Sequence, residues 1–319
     1  EIASCLVGSE MCIRDRYLEH QAVNLVGFYD LNEKRAEELA EKYGGKAYGS
    51  VEELLTDPQI DAVSICTANH THAELTIKAL KAGKHVLCEK PMAITLEECQ
   101  RMVECAEENH RKLLIGQNQR LTRTHQMARK LIADGEIGNV LSFQTSFQHS
   151  GPESWSVDAG KNTWFFQKKA AAMGVMGDLG IHKTDLIQYL LDDQIVEVTA
   201  EFSTLDKCYE NGEKIDVEDQ ALCIYQMKHG AVGTMRASWV CYGQEDNSTI
   251  IYGSDGVMKI YCDPRYSLQI EKKDGEHILY INGAYENKDD NSDLAKLIHD
   301  FRCSKADEML LSPLADRTR

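Results

Sequence analysis

From Gln21 to about Gln117 the chain alternates between short apolar runs and amphipathic stretches of helical spacing, and no other feature constrains its fold as tightly. "AVNLVGFYD" is an apolar run ending in an acid, and "NEKRAEELAEKYGG" has helical spacing and stops at a glycine pair. "SVEELL" opens on a Ser-x-x-Glu capping box at Ser50 and Glu53, and "TLEECQRMVECAEEN" on a second at Thr95 and Glu98. The runs "IDAVSIC" and "HVLCEKP" flank the helical stretch "THAELTIKALKAGK", and "KLLIGQ" closes the series. Strands joined by helical crossovers make a parallel sheet with helices on both faces.

The second half changes character. A helix predicted around His125 to Asp134 is followed by the strand "NVLSFQTSFQH", an irregular stretch rich in Gly, Trp and Lys, and a helix over Asp178 to Leu191. From Ile195 onward strand-like runs separated by turns such as "KHG", "GSDG" and "KKDG" predict an antiparallel meander. The expected fold is therefore α/β. A doubly wound parallel sheet occupies 1–121, and 122–319 forms an α+β domain with a large, open, mostly antiparallel sheet and helices on one face.

Bulk properties remove several classes of function. A formal charge of −16 disfavours nucleic acid and anionic membrane surfaces, which reward clustered Lys and Arg. The 11 cysteines are odd in number, irregularly spaced and lack a C-x-x-C, so neither disulfides nor a metal site is expected, and a reducing cytoplasm fits best. No apolar window is long enough for a membrane span, and the N-terminus has no secretory pattern.

Several residues could do chemistry. Asp30 ends the second strand, where an acid bonds adenine-ribose hydroxyls and repels a 2′-phosphate, favouring NAD; it is equally placed to serve a helix N-terminus, and Lys34 and Arg35 leave NADP open. Thr67, Asn69 and His72 follow a strand in the polar loop "TANHTH" at the carboxyl edge, where open α/β sheets bind ligands. In "GKHVLCEKPM", Glu89 and Lys90 leave a strand directly and Pro91 stiffens the turn; a Lys held there can donate a hydrogen bond or proton to a substrate oxygen, or make a surface ion pair. On a helix "GDLGIHKTDLIQYLL" puts Asp178, His182 and Asp185 on one face, an imidazole one turn from a carboxylate.

"AGKHVLCEKPMAITLEE", with "ICTANHTHAELTIKAL" before it and "GDLGIHKTDL" after it, resembles the Gfo/Idh/MocA oxidoreductases from about Gln21 to about Cys303. The E-K-P and D-x-x-x-H motifs in this order are more specific together than either alone. The resemblance implies a Rossmann domain binding NAD, with NADP open, and a second domain whose sheet makes a homo-oligomer. It assigns Lys90, Asp178 and His182 to catalysis, and Thr67, Asn69, His72, Glu89 and Lys90 to the nicotinamide half of the cofactor, with Asp30 at the ribose. It places Arg120 of "GQNQR" at the domain junction, beside the substrate. The implied reaction is hydride transfer between nicotinamide and a secondary alcohol carbon of a sugar or cyclitol, with Trp155 or Trp164 against the sugar face. Some members of the family instead retain NAD and cleave glycosides by transient oxidation, and others are sensors without catalysis.

The opening stretch departs from this pattern. Where a G-x-G-x-x-G turn belongs, about 20 residues before the ribose acid, the chain reads "SCLVGSEMCIRDR". Written as codons, "EMCIRDR" resembles the transposon-end adapter of sequencing libraries. The stretch is expected to be foreign sequence in place of the first strand, phosphate loop and most of the first helix, and the chain as written to bind NAD poorly. The ending "LSPLADRTR" is expected to stop short of a final helix.

Overall fold

The computed structural model describes residues 2–6, as backbone, and 23–280. The first sheet has six strands: β1 (Ile2–Leu6), β2 (Leu25–Tyr29), β3 (Lys46–Ala47), β4 (Ala62–Cys66), β5 (His85–Cys88) and β6 (Leu113–Ile115). Their order is β3-β2-β1-β4-β5-β6 and every pairing is parallel. The chain reverses its winding between β1 and β4, and a crevice opens there at the carboxyl ends. Helices α1 (Glu33–Tyr43), α2 (Val51–Thr56), α3 (His72–Lys81) and α4 (Leu96–Glu108) link the strands. Both N-caps form: Ser50 Oγ accepts from Glu53 N–H and Thr95 Oγ1 from Glu98 N–H, each at 3.1 Å, while the Glu53 and Glu98 carboxylates accept from the residue before each cap, Gly49 N–H and Ile94 N–H.

Ile2–Leu6, inside the stretch expected to be foreign, fills the central slot and pairs with β2 on one side and β4 on the other. A parallel ladder is made by backbone groups, so a five-residue run can complete it whatever its side chains. Residues 7–22, where foreign sequence was expected in place of the phosphate turn, and 281–319, where the chain was expected to stop short of a final helix, lie outside the described residues.

After α5 (Arg123–Ala133) come β7 (Val140–Gln148), a short α6 (Lys168–Ala171) and α7 (Ile181–Leu191). The remaining strands are β8 (Ile195–Ser203), β9 (Gln220–Met227), β10 (Val232–Ser238), β11 (Thr249–Gly253), β12 (Gly256–Asp263), β13 (Tyr266–Lys272) and β14 (His277–Tyr280). They form an eight-stranded sheet in the order β14-β13-β12-β11-β7-β10-β9-β8. It is not a pure meander: β7, which precedes α7 in the chain, inserts between β11 and β10 and runs parallel to β10. Burial alternates along β9 and β10, so one face carries the core and the other is open. Trp239, fully buried just past β10, anchors that core beside Phe166. Burying an indole of this kind contributes about 5 kcal/mol at ~25 cal/mol per Å².

His125 in the first turn of α5 is fully buried and donates from Nδ1 to Gln119 O at 2.7 Å. Burial first, then the Lys183 ammonium, push its pKa to about 3, against the pull of the Gln119 carbonyl. The unfolded chain therefore takes up a proton near pH 6.5 that the folded protein refuses until about pH 3. Stability from this group is complete above the unfolded value and is lost as pH falls between the two. Thermal unfolding should show Tm falling over that window, with a shallower fall in His125→Phe. Equal slopes would contradict it.

Candidate active site

The carboxyl ends of β4 and β5 meet the N-terminal end of α7 across the crevice, and charged side chains from both domains converge there. Lys90 Nζ donates to the Asp178 carbonyl at 2.8 Å and to Asp178 Oδ1 at 2.9 Å. The other carboxylate oxygen, Asp178 Oδ2, accepts from Trp239 Nε1 at 3.1 Å. Burial alone would push the Asp178 carboxyl up, but the Lys90 ammonium, then His149, and the bonds from Lys90 and Trp239 outweigh it and hold it below the usual range. Asp178 is thus an anion locked against a cation.

The local backbone explains how Asp178 and His182 both face this point. Met176–Gly180 forms a single π turn leading into α7, the kind of irregularity that occurs at functional sites. Its entry is tied by Glu218, whose Oε1 accepts from Gly174 N–H at 2.8 Å and Met176 N–H at 3.1 Å. Gly174 admits no side chain, because a Cβ there would lie 2.0 Å from Glu218 O. His182 is 7% exposed, and its Nδ1 is buried with no hydrogen-bond partner. Burial, then Lys90, lower its pKa well below the ordinary imidazole value despite the pull of Asp178. At neutral pH the ring is uncharged.

The other expected residues are placed as follows. Asp185 does not join the pair; it forms a two-pronged ion pair with Arg120, whose Nε donates to Asp185 Oδ2 at 2.6 Å. Arg120 therefore sits at the domain junction with its fork already engaged. His72 is buried, its Nδ1 2.7 Å from Pro91 O and its Nε2 2.9 Å from Thr67 O, so it clamps the two crevice loops together. Asn69 Nδ2 donates to Ala171 O at 2.8 Å, tying the β4 loop to α6. Thr71 Oγ1 donates to Ala68 O, so at 2.5 Å Thr67 Oγ1 is the donor to Thr71 Oγ1. Trp164 stacks on Phe165 at 4.0 Å, with its Nε1 buried and unpartnered.

The crevice edge suits a dinucleotide. Glu89 Oε2 accepts from Lys90 N–H at 3.1 Å, and its carboxylate lies so close to Gly116 that a Cβ there would stand 2.7 Å from Oε1. Burial raises the Glu89 pKa, with Lys90 opposing. Asp30, 3% exposed at the end of β2, accepts from Asn32 N–H at 2.7 Å and Arg35 Nη1 at 3.1 Å. Removing this acid, as in Asp30→Ser, frees Arg35 to meet a 2′-phosphate. The ratio of NADP to NAD affinity should rise about tenfold, the value of ~1.4 kcal/mol, and an unchanged ratio in calorimetry would mean Asp30 does not meet the ribose.

Sequence reasoning missed His149, Trp239, Glu218 and Gly116. His149 lies just past β7, close enough to Asp178 to lower its pKa, and its Nδ1 accepts from Gly151 N–H at 2.9 Å. That bond fixes the neutral tautomer with the proton on Nε2, a donor. The only available signal was "QHSGP" following a strand. Among the described residues no group of three His, Cys, Asp or Glu could hold a metal ion, and no helix is long and apolar enough to cross a membrane.

Residues 7–117 match the model of the oxidoreductase family with an NAD-binding Rossmann fold, Gfo/Idh/MocA, and residues 125–259 match the C-terminal domain of that family. The first match begins inside the stretch expected to be foreign. Over 261 residues the chain is 30% identical to levoglucosan dehydrogenase of Pseudarthrobacter phenanthrenivorans, covering 76% of this chain and 66% of that relative. Over 241 residues it is 32% identical to myo-inositol 2-dehydrogenase of Thermotoga maritima, covering 75% and 67%. The solved structure of levoglucosan dehydrogenase in complex with NADH and levoglucosan superposes with a TM-score of 0.82 at 25% identity, over 98% of this chain and 91% of that one. The chain therefore belongs to the Gfo/Idh/MocA oxidoreductases, and its first sheet is their NAD-binding Rossmann fold.

Proposed function

We propose that the chain oxidises a secondary alcohol of a sugar or cyclitol, reversibly, with NAD. The observation that carries this reading is the Lys90–Asp178–His182 cluster, in which a buried, uncharged imidazole with an unpartnered Nδ1 faces an ammonium held in place by a buried carboxylate. When bound, NAD supplies the acceptor for the hydride leaving the carbinol carbon. Asp30 would meet its ribose, and Thr67 and Glu89 line the edge where its nicotinamide half would lie; the polar atoms of Asn69 and His72 serve to shape that edge.

The chain's own residues handle the proton. His182, kept neutral by burial and by Lys90, can take the hydroxyl proton at neutral pH. Lys90, aimed by its two bonds to Asp178, polarises the same oxygen. In the reverse direction His182 returns the proton. The cluster Trp155, Phe165 and Trp164, with Trp155 also edge-on to His149, offers an aromatic wall to the C–H face of a sugar. The names of the relatives, dehydrogenases of levoglucosan and of myo-inositol, support this substrate class.

The open face of the second sheet carries Leu222, Ile224 and Val232, 46%, 51% and 45% exposed, contiguous across β9 and β10. A second copy of the chain covering that face would bury them. The activity is tested by screening sugars and cyclitols at saturating NAD for absorbance at 340 nm. NADH formation with at least one compound is expected once a G-x-G-x-x-G strand–turn stands before Tyr17, since the chain as written is expected to bind NAD poorly. Glycoside cleavage without net NADH, or no reaction with any compound, would overturn the reading.

A further inference from the structure

Lys207 lies in the loop between β8 and β9, yet it is only 4% exposed. Its ammonium bonds the Glu153 carboxylate and the Ser150 carbonyl, and stands 4.9 Å from the centre of the Tyr242 ring. The position of Lys207 is itself fixed. Asp219, with no exposed surface, accepts the backbone N–H groups of Leu205, Asp206 and Lys207, each at 2.8 Å, and Tyr242 donates to Asp206. One buried cation thus ties together segments following β7, β8 and β10.

What the cation grips is the turn behind His149. Gly151, at φ 100°, gives its N–H to His149 Nδ1, and a Cβ there would lie 2.4 Å from Glu153 Oε2 and 3.0 Å from Lys207 Nζ. The Glu153 carbonyl accepts from Gly160 N–H at 2.8 Å, closing the loop that carries Trp155. A buried ion pair is weak evidence for stability, since its desolvation cost can match its attraction, and fixing one geometry is the other use for it.

We propose that Lys207 is a positioning residue: with Glu153 it locks the 149–160 loop so that His149 and Trp155 hold the sugar, setting substrate affinity and leaving the chemical step alone. This rests on the function proposed above. It assigns no role at the reacting atoms to Lys207, whose ammonium bonds go to Glu153 and Ser150.

The test compares wild type with Lys207→Met and with the double variant Lys207→Met/Glu153→Leu, which leaves no buried charge unpaired. Amide exchange across 149–160, measured without ligand, should quicken at least about tenfold in Lys207→Met while the first sheet is unchanged. With a sugar that wild type oxidises, KM for the sugar should rise about tenfold or more, kcat should change less than about threefold, and KM for NAD should hold. The double variant should recover Tm without recovering KM. Unchanged exchange, unchanged sugar KM, or a KM that returns with Tm would overturn the proposal while the dehydrogenase reading stands. The three tryptophans, Trp155, Trp164 and Trp239, all border the site, so sugar binding is also read by intrinsic fluorescence. A wild type with neither turnover nor a fluorescence response to any sugar overturns the dehydrogenase reading and the substrate half of this proposal, and the exchange arm still decides whether Lys207 holds the loop.

Discussion

Lys90→Met and His182→Ala should each lower kcat by about 10²–10⁴-fold, the usual contribution of a positioned proton donor or acceptor. Methionine keeps most of the lysine stem, so what disappears is the charge that Asp178 holds. The two variants should differ in their pH dependence. In wild type the Lys90 ammonium helps hold His182 well below its ordinary pKa, so the ring stays a base as the solution is acidified. Without that ammonium the His182 pKa rises, and the acid limb of the kcat profile should move to higher pH in Lys90→Met. Asp178, deprived of its cation, moves upward as well, toward the value burial favours. His182→Ala should lose this limb altogether. Near-normal turnover in either variant, with NADH formation as the readout, would remove that residue from the mechanism.

The largest effect on stability is expected at Arg120. Asp185 is largely buried, and burial pushes its pKa up while Arg120 pulls it down. Arg120→Met leaves that carboxylate without a partner at the domain junction, which costs about 3 kcal/mol when one side of a buried pair is removed. For a protein of this size that is a fall in Tm of roughly 4–5 °C. The double variant Arg120→Met/Asp185→Leu leaves no uncompensated charge and should regain most of the loss. Measured by thermal unfolding, a single variant as stable as wild type would show that the pair is dispensable; a double variant no better than the single would show that Arg120 acts through contacts other than Asp185.

The elements of the first sheet were legible because their signals are local. N-caps at Ser50 and Thr95, a glycine stop after α1 and runs such as "IDAVSIC" each depend on a few adjacent residues. The pair Asp178 and His182 was legible for the same reason, one turn apart on one segment. Long-range choices were not. Nothing near β7 states that it will lie between β11 and β10, parallel to the latter, because that slot is selected by burial and by partners far along the chain. The partners of the site residues escaped for that reason too: Trp239 reaches Asp178 from just past β10, Glu218 ties the π turn from just before β9, and Asp185 turns to Arg120. His72 and Asn69 carried polar groups at the right edge, but only the fold shows that carbonyls of Pro91, Thr67 and Ala171 already engage them.

In the mechanism proposed, Lys90, Asp178 and His182 act together in alcohol oxidation on this Rossmann scaffold. It is tested most directly by following NADH formation at 340 nm as a function of pH, with one oxidised sugar, in wild type and in Lys90→Met. The wild-type rate should stay flat on acidification below the ordinary imidazole pKa, and the variant should be about 10²–10⁴-fold slower with its acid limb displaced to higher pH. Equal rates, or acid limbs that coincide, would contradict it.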